Sequence, residues 1–368
     1  MPPNKLTIDL SAISYNYKLL QKFAGSDVQL MGVIKSDAYG HGMIPVAKTL
    51  TDSGCNSFAV FHISEGILLR KNNFNQTILI LMGVETENVE KAVENDFITV
   101  VCQKEIIERL SQIACKHKKK AKIQIKVDTG MNRLGIYPED LNDFMSSIKN
   151  LPGLEINGFI SHFAVSDQPQ NDYTKKQIQN FQDAIIPYTS NNMVNHIANS
   201  GGIINNKGLN FPLARIGIAL YGSSPDPGWP KAYALKPAML FQSKIIFVKN
   251  VPANQTISYG RTFRTKKDSK VATIPVGYAN GYPRILSNKA QVLIHGKRAP
   301  VIGRICMNLT MIDVTELPEE VCCGDVVVIL GRQGDNQVTA DELADYAETI
   351  SYEIMCNLGN ANFRTYTY

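Results

Sequence analysis

Between residues 28 and 221 short apolar runs alternate eight times with amphipathic stretches, and few folds are open to a chain that does this. The runs are 28–34 (VQLMGVI), 57–62 (SFAVFH), 77–82 (TILILM), 97–101 (FITVV), 122–128 (KIQIKVD), 155–161 (EINGFIS), 193–198 (MVNHIA) and 214–220 (ARIGIAL). Segments near 42–52, 64–72, 86–95, 104–116, 138–149 and 172–187, and a short one after 200, space their apolar residues as helices do. Leu10, Ile13, Tyr17 and Leu20 predict a leading helix over 10–23, capped by Ser11. Strand followed by helix, eight times, predicts an α/β fold: an eight-stranded parallel (β/α)8 barrel.

Barrels of this kind carry their chemistry at the C-terminal ends of the strands. Lys35 follows the first run, Lys126 and Arg133 flank the end of the fifth, His162 follows the sixth, Ser200 the seventh, and Arg215 lies in the eighth. Lys35 closes an apolar run and opens the polar, glycine-punctuated stretch Ser36-Asp37-Ala38-Tyr39-Gly40-His41-Gly42. A lysine there loses solvation, drops its pKa and becomes the nucleophilic amine that a Schiff base with an aldehyde cofactor requires. Alone it would be an ordinary surface residue; polar groups converging from separate strand ends change that reading. Ser200-Gly201-Gly202 and Gly217-Ile218 occupy the two loops where barrels commonly bind phosphate.

After about residue 236 the pattern changes to short β-like stretches, 240–249, 269–276, 290–295, 310–314 and 325–330, with a short helix over 341–349. The expected division is a barrel over 1–235 and a mostly antiparallel β domain over 236–368. With 44% hydrophobic and 19% charged residues the 368-residue chain can build a sizeable core. A net charge of +5 gives no case for nucleic acid, and the basic run Lys116 to Lys122 lacks interleaved aromatics, so it reads as a solvated connection. Seven scattered cysteines without a Cys-x-x-Cys pair favour a reducing compartment and no metal. No apolar stretch of roughly 18 residues occurs, so no membrane segment and a cytoplasmic location are expected.

Five strings, in order, carry a resemblance: Val33-Ile34-Lys35-Ser36-Asp37-Ala38-Tyr39-Gly40-His41-Gly42, Lys126 to Gly135 (KVDTGMNRLG), Arg215 to Gly222 (RIGIALYG), Ser258-Tyr259-Gly260 and Gly303-Arg304-Ile305-Cys306-Met307. With them the chain resembles the alanine racemases of the pyridoxal-phosphate barrel family. The resemblance implies pyridoxal 5'-phosphate bound covalently to Lys35, which also serves as one catalytic base. Tyr259, reaching across a homodimer whose active sites are shared, is implied as the second base, because a proton taken from one face of Cα must return from the other. His162 and Arg215 are implied as the positive neighbours that favour its phenolate, and Arg215 also as the partner of the cofactor's ring nitrogen, where a carboxylate would withdraw electrons more strongly. Tyr39, Ser200, Gly217 and Ile218 are implied at the phosphate. Arg133 is implied at the phenolic oxygen and the substrate, oriented by Lys126 in a carbamylated form, and Met307 at the substrate carboxylate through its amide.

The strings also depart from the family's. Asn308 and Asn280 stand where many members have aspartates, while Asp167, Tyr278, Arg284 and Arg304 match the entrance channel. Counted from Tyr352-Glu353, the position of a cofactor-pocket tyrosine falls on Asn360. A carboxamide there vacates space and offers a donor and an acceptor, enough for a hydroxymethyl side chain. The same exchange marks the serine racemase domains of vancomycin-resistance operons, whose catalytic part sits behind a membrane anchor. The first expectation is therefore a racemase of serine and alanine supplying D-amino acids for the cell wall, either cytoplasmic or the cytoplasmic part of an anchored protein. An ordinary biosynthetic alanine racemase is the second. A basic amino-acid decarboxylase is disfavoured by Arg215, and a pyridoxal-phosphate carrier barrel by the β domain with Tyr259.

Overall fold

Runs rich in Val, Ile and Leu on every position favour a sheet covered on both faces, and the computed structural model, which describes residues 3–225 and 235–368, contains one. The chain opens with β1 (Lys5–Asp9) and the helix Leu10–Ala24, whose buried face is Leu10, Ile13, Tyr17 and Leu20. Asp9, not Ser11, caps this helix: its carboxylate accepts from Ala12 N at 3.1 Å and from the Ser11 hydroxyl at 2.6 Å. The parallel strands follow as β2 (Gln29–Val33), β3 (Ser57–Val60), β4 (Thr77–Ile80), β5 (Ile98–Val101), β6 (Ala121–Lys126), β7 (Leu154–Ile160) and β8 (Leu213–Ile216). They are ordered β7-β6-β5-β4-β3-β2-β8 in one sheet.

That sheet has seven strands where eight were expected. The run 193–198 contributes one parallel bridge, His196 to Ile160. Local polar chemistry explains the shortfall. Asn195 is buried, and its side-chain oxygen accepts from Phe159 N at 2.8 Å, so a side chain occupies a backbone position of β7 that a ladder would use. The segment still links the two edges of the sheet, because His196 N donates to Phe159 O and Arg215 N donates to Ala198 O, both at 3.0 Å.

A mostly antiparallel sheet covers the rest. Its members are β9 (Met239–Lys244), β10 (Phe247–Val251), β13 (Ser269–Ile274), β14 (Gln291–Ile294), β15 (Lys297–Ile302), β16 (Thr310–Asp313), β17 (Val326–Gln333), β18 (Asn336–Val338) and β19 (Arg364–Thr367), with β11 (Thr256–Ile257) and β12 (Phe263–Arg264) as a separate small ribbon. The strand β1, absent from the sequence expectation, joins this sheet, antiparallel to β9 and parallel to β19. The expected boundary after residue 235 directly follows 226–234, which lie outside the described residues. The helices Ala340–Ala347 and Ser351–Ala361 return the chain toward Lys35, and buried residues from both sheets, among them Ile8, Phe58, Phe241 and Val292, form one large core, with Val251, Ile257, Val271 and Ile302 in a second, smaller cluster.

Candidate active site

Beyond β2 the backbone enters a conformation that L-residues avoid. Ser36, Asp37, Ala38 and Tyr39 have φ between +52° and +55°, one turn of left-handed helix, which costs roughly 1–2 kcal/mol per residue. Contacts from four other elements hold it. The Glu65 carboxylate accepts from Ser36 N at 2.6 Å, Asp37 accepts from Met43 N at 2.6 Å and pairs with Arg364 of β19, and Gly40 packs against Gly359 so closely that a Cβ on Gly359 would lie 2.1 Å from Gly40 O. The turn delivers Lys35 with its Nζ 5.7 Å from the centre of the Phe61 ring. Burial pushes this amine below the usual lysine range and Arg133 adds to the effect, while Glu65 opposes it.

Arg215 is the hub on the other side. Its guanidinium donates to Ser161 O at 2.7 Å, His162 Nδ1 at 3.1 Å and Ile197 O at 3.2 Å, and contacts His196 Nδ1. Burial lowers it to about 9, so it remains a cation at neutral pH. Both histidines are held well below the usual range by burial and then by Arg215, so they are neutral and accept through Nδ1. The protonated Nε2 of His196 then donates to Gln124 Oε1 at 2.8 Å. His162, expected as a positive neighbour, is therefore neutral, and Arg215 is the cation of that pair. Among the described residues no carboxylate pairs with Arg215.

Lys126 ends β6 beside this hub, and burial, with Arg215 and Arg133 after it, lowers its amine to about 7. Arg133 is exposed, on a loop fixed by Asp128, whose carboxylate accepts from the backbone N–H groups of Gly130, Met131, Asn132 and Arg133 at 2.9 to 3.2 Å. At the end of β8, Ser200 Oγ accepts from Gly217 N at 3.0 Å and Ala219 N at 3.5 Å, and Ile218 is buried beside them. The Tyr39 ring is buried against Tyr221, centroids 4.9 Å apart, and its hydroxyl would lie 2.6 Å from a Cβ on Gly217. Among the described residues neither hydroxyl proton, of Tyr39 or of Ser200, has a protein acceptor. Two unspent hydroxyl donors beside the backbone of Gly217 fit an anionic group such as a phosphate ester.

The remaining expected residues form a second group. Tyr259, 69% exposed, follows Ser258, whose hydroxyl donates to Arg304 O at 2.5 Å. Tyr278 N donates to Cys306 O at 3.1 Å and Ala279 N to Met307 O at 3.0 Å, so Tyr259, Tyr278, Arg304 and the exposed Met307 share one face. Arg284 is exposed one turn beyond. Within one chain, among the described residues, no hydrogen bond, ion pair or ring contact joins this face to Lys35 or Arg215. Asp167 is exposed and acts on Tyr352, whose ring lies tilted against Tyr39 with centroids 5.7 Å apart. Asn360 is exposed and lines a cavity of about 460 Å³ with Tyr278, Pro283, Ile285 and Asn357. Away from all of these, Glu90, Glu94 and His117 bring ligand atoms within 4.8 Å of one another, but Glu90 is already taken by Lys116 and His117.

Sequence reasoning missed Glu65, Gln124 and His196. The last two were visible as polar residues inside apolar runs, where burial without a partner is costly. Glu65 showed only as an acidic residue in the first turn of a helix.

A parallel sheet with a depressed amine, a lone guanidinium and unspent hydroxyl donors at its strand ends defines a lysine-centred barrel enzyme. Residues 8–225 match the model of the alanine racemase N-terminal domain and residues 238–366 that of the C-terminal domain. The chain is 40% identical over 367 residues to the alanine racemase of Halothermothrix orenii, covering 99% of this chain and 97% of that protein. It is 40% identical to alanine racemase 2 of Caldanaerobacter subterraneus, covering 100% and 95%. The chain belongs to the alanine racemase family. Among solved structures, the Bacillus anthracis alanine racemase with bound L-Ala-P superimposes with a TM-score of 0.90 at 34% identity over 100% of this chain and 96% of that one. The Bartonella henselae alanine racemase with covalently bound pyridoxal phosphate gives 0.92 at 30% over 100% of both. No helix among the described residues is long and apolar enough to cross a membrane.

Proposed function

We propose that the protein interconverts L- and D-alanine with pyridoxal 5'-phosphate carried on Lys35. The observation that carries this reading is the buried Arg215 guanidinium, without a carboxylate and fixed by two neutral histidines, at the same strand ends as the depressed Lys35 amine. The bound cofactor supplies an electron sink for the pair left when the Cα–H bond of the amino acid breaks. Ser200 and Tyr39 direct their hydroxyl protons, and Gly217 and Ile218 their backbone, to the phosphate. With the cofactor bound, Arg215 would donate to its ring nitrogen and keep it unprotonated, limiting delocalisation and favouring return of the proton to Cα. Lys35 exchanges that proton at Nζ on one face. Tyr259 of the partner subunit exchanges it at its phenolic oxygen on the other, and the exposed face of Tyr259, Tyr278 and Met307 is the surface through which two copies meet. Lys126, as a carbamate, orients Arg133, and Asp167, Tyr278, Arg284 and Arg304 line the way in.

Of the two substrate readings, relatives at 40–41% identity, named alanine racemases, favour the ordinary alanine racemase over the serine and vancomycin-resistance type. Serine as an additional substrate rests on Asn360 and its cavity. The test is to incubate purified protein separately with L-alanine and L-serine and quantify each D-enantiomer. Absence of D-alanine sinks the proposal. For serine the informative variant is Asn360→Tyr, which is expected to lower the serine-to-alanine ratio of kcat/KM by about tenfold, the scale of losing one hydrogen bond in a pocket. An unchanged ratio removes serine as a design feature of the site.

A further inference from the structure

We propose that Glu65 is a positioning residue for the Lys35 amine: one carboxylate ties together the ends of β2 and β3 and thereby places the two groups that flank that amine. The inference rests on the racemase reading above. Glu65 is the third residue of the helix Ile63–Lys71, where a carboxylate commonly turns back to the backbone N–H of the cap residue. That capping role needs one contact, and Oε2 makes it with His62 N at 3.1 Å. Glu65 makes two more. Oε2 also accepts from Phe61 N at 2.7 Å, and Oε1 reaches across to accept from Ser36 N at 2.6 Å. Ser36 begins the left-handed turn and adjoins Lys35, and the Phe61 ring faces Lys35 Nζ.

Only a carboxylate can do this. Each of its oxygens accepts, whereas a carboxamide has one acceptor oxygen and would turn its NH2 toward either Ser36 N–H or the Phe61 and His62 N–H groups. Charge matters too. The groups that act on the amine are Arg133 after β6, Arg215 of β8, Cys356 of the helix Ser351–Ala361 and Glu65, with neutral His162 beside Arg215. Glu65 is the one carboxylate in that set, so its removal leaves two cations to lower the amine further.

The test compares wild type, Glu65→Gln and Glu65→Asp as holoenzymes, measuring kcat and KM for L-alanine and the absorbance of the bound cofactor across pH. For Glu65→Gln, kcat is expected to fall at least about tenfold with KM within about twofold, the pattern of a displaced reacting group. The limb of the profile and of the absorbance titration that reports protonation at the Lys35 nitrogen moves to lower pH. For Glu65→Asp, whose charge stays but whose reach shortens, kcat falls and the limb stays. Both variants at wild-type kcat per bound cofactor with an unmoved limb, even if less thermostable, would reduce Glu65 to a helix cap and overturn the proposal. If the amide variant does not accumulate as folded protein, Glu65→Asp decides by its kcat alone. Wild type that produces no D-alanine removes the racemase reading instead; active wild type with indifferent variants removes only the role of Glu65.

Discussion

Lys126 shows how a single side chain can be forced into an unusual state by its neighbours. Buried with Arg215 and Arg133 near it, its ammonium form is disfavoured, and the amine titrates at about 7. At pH 8 roughly nine-tenths of it is therefore neutral and nucleophilic. Addition of carbon dioxide to the neutral amine, with release of a proton, would leave an anion facing two arginines. With carbon-13-labelled bicarbonate at pH 8 the protein is expected to show one carbamate carbon resonance that is absent from Lys126→Ala. The same variant is expected to lose activity by about tenfold or more, because Arg133 is then oriented only by its backbone loop. Failure to see the resonance in wild type would leave Lys126 as a neutral amine and Arg133 as unassisted.

At the scale of elements, the left-handed turn and the helix Ser351–Ala361 depend on each other through two glycines. Gly40, at φ +80°, would place a Cβ 2.6 Å from Met355 O, and Gly359 would place one 2.1 Å from Gly40 O. Backbone, not a flexible side chain, stands in the way. Gly359→Ala must push the helix off the turn, and a loss of about 2–4 kcal/mol is expected, read as a fall in the denaturation midpoint, with weakened cofactor retention as the turn relaxes. This contact was not legible in the sequence, because nothing in a lone Gly359 tells which backbone approaches it. The parallel strands were legible, since a strand covered on both faces is mostly apolar rather than alternating. The run 193–198 was over-read for the same reason: apolar content marked a strand, while Asn195 spent its side chain on β7. Lys35, Arg215, Lys126 and Ser200 could be located as strand-end residues. The neutrality of His162 could not, because it depends on burial beside Arg215. The strand β1 was missed because it pairs with β9 and β19, partners more than 200 residues away.

For the molecule as a whole, buried neutral histidines set the acid limit. His41, fully buried, is lowered from 6.5 to about 4 by burial, and His162 and His196 are lowered too. The unfolded chain binds protons there that the folded chain refuses, so this stability is complete above about pH 6.5 and is lost as pH falls toward 4. His41 alone accounts for about 2 kcal/mol of that loss at pH 5. The melting temperature is expected to fall from pH 7 to pH 5, and less steeply in His41→Asn. The other whole-molecule question is whether one chain makes a complete site. Lys35 and Arg215 sit at the strand ends of the parallel sheet, while Tyr259 and Met307 stand exposed on a face that touches neither within the chain. If the site is completed by a second copy, Lys35→Ala and Tyr259→Phe are each inactive alone but complement when co-expressed. Random pairing makes half of the dimers mixed, and each mixed dimer has one site carrying both lesions and one carrying neither, so about one quarter of wild-type activity returns. Sites drawn from single chains would give every site in a mixed dimer one lesion, and co-expression would restore nothing.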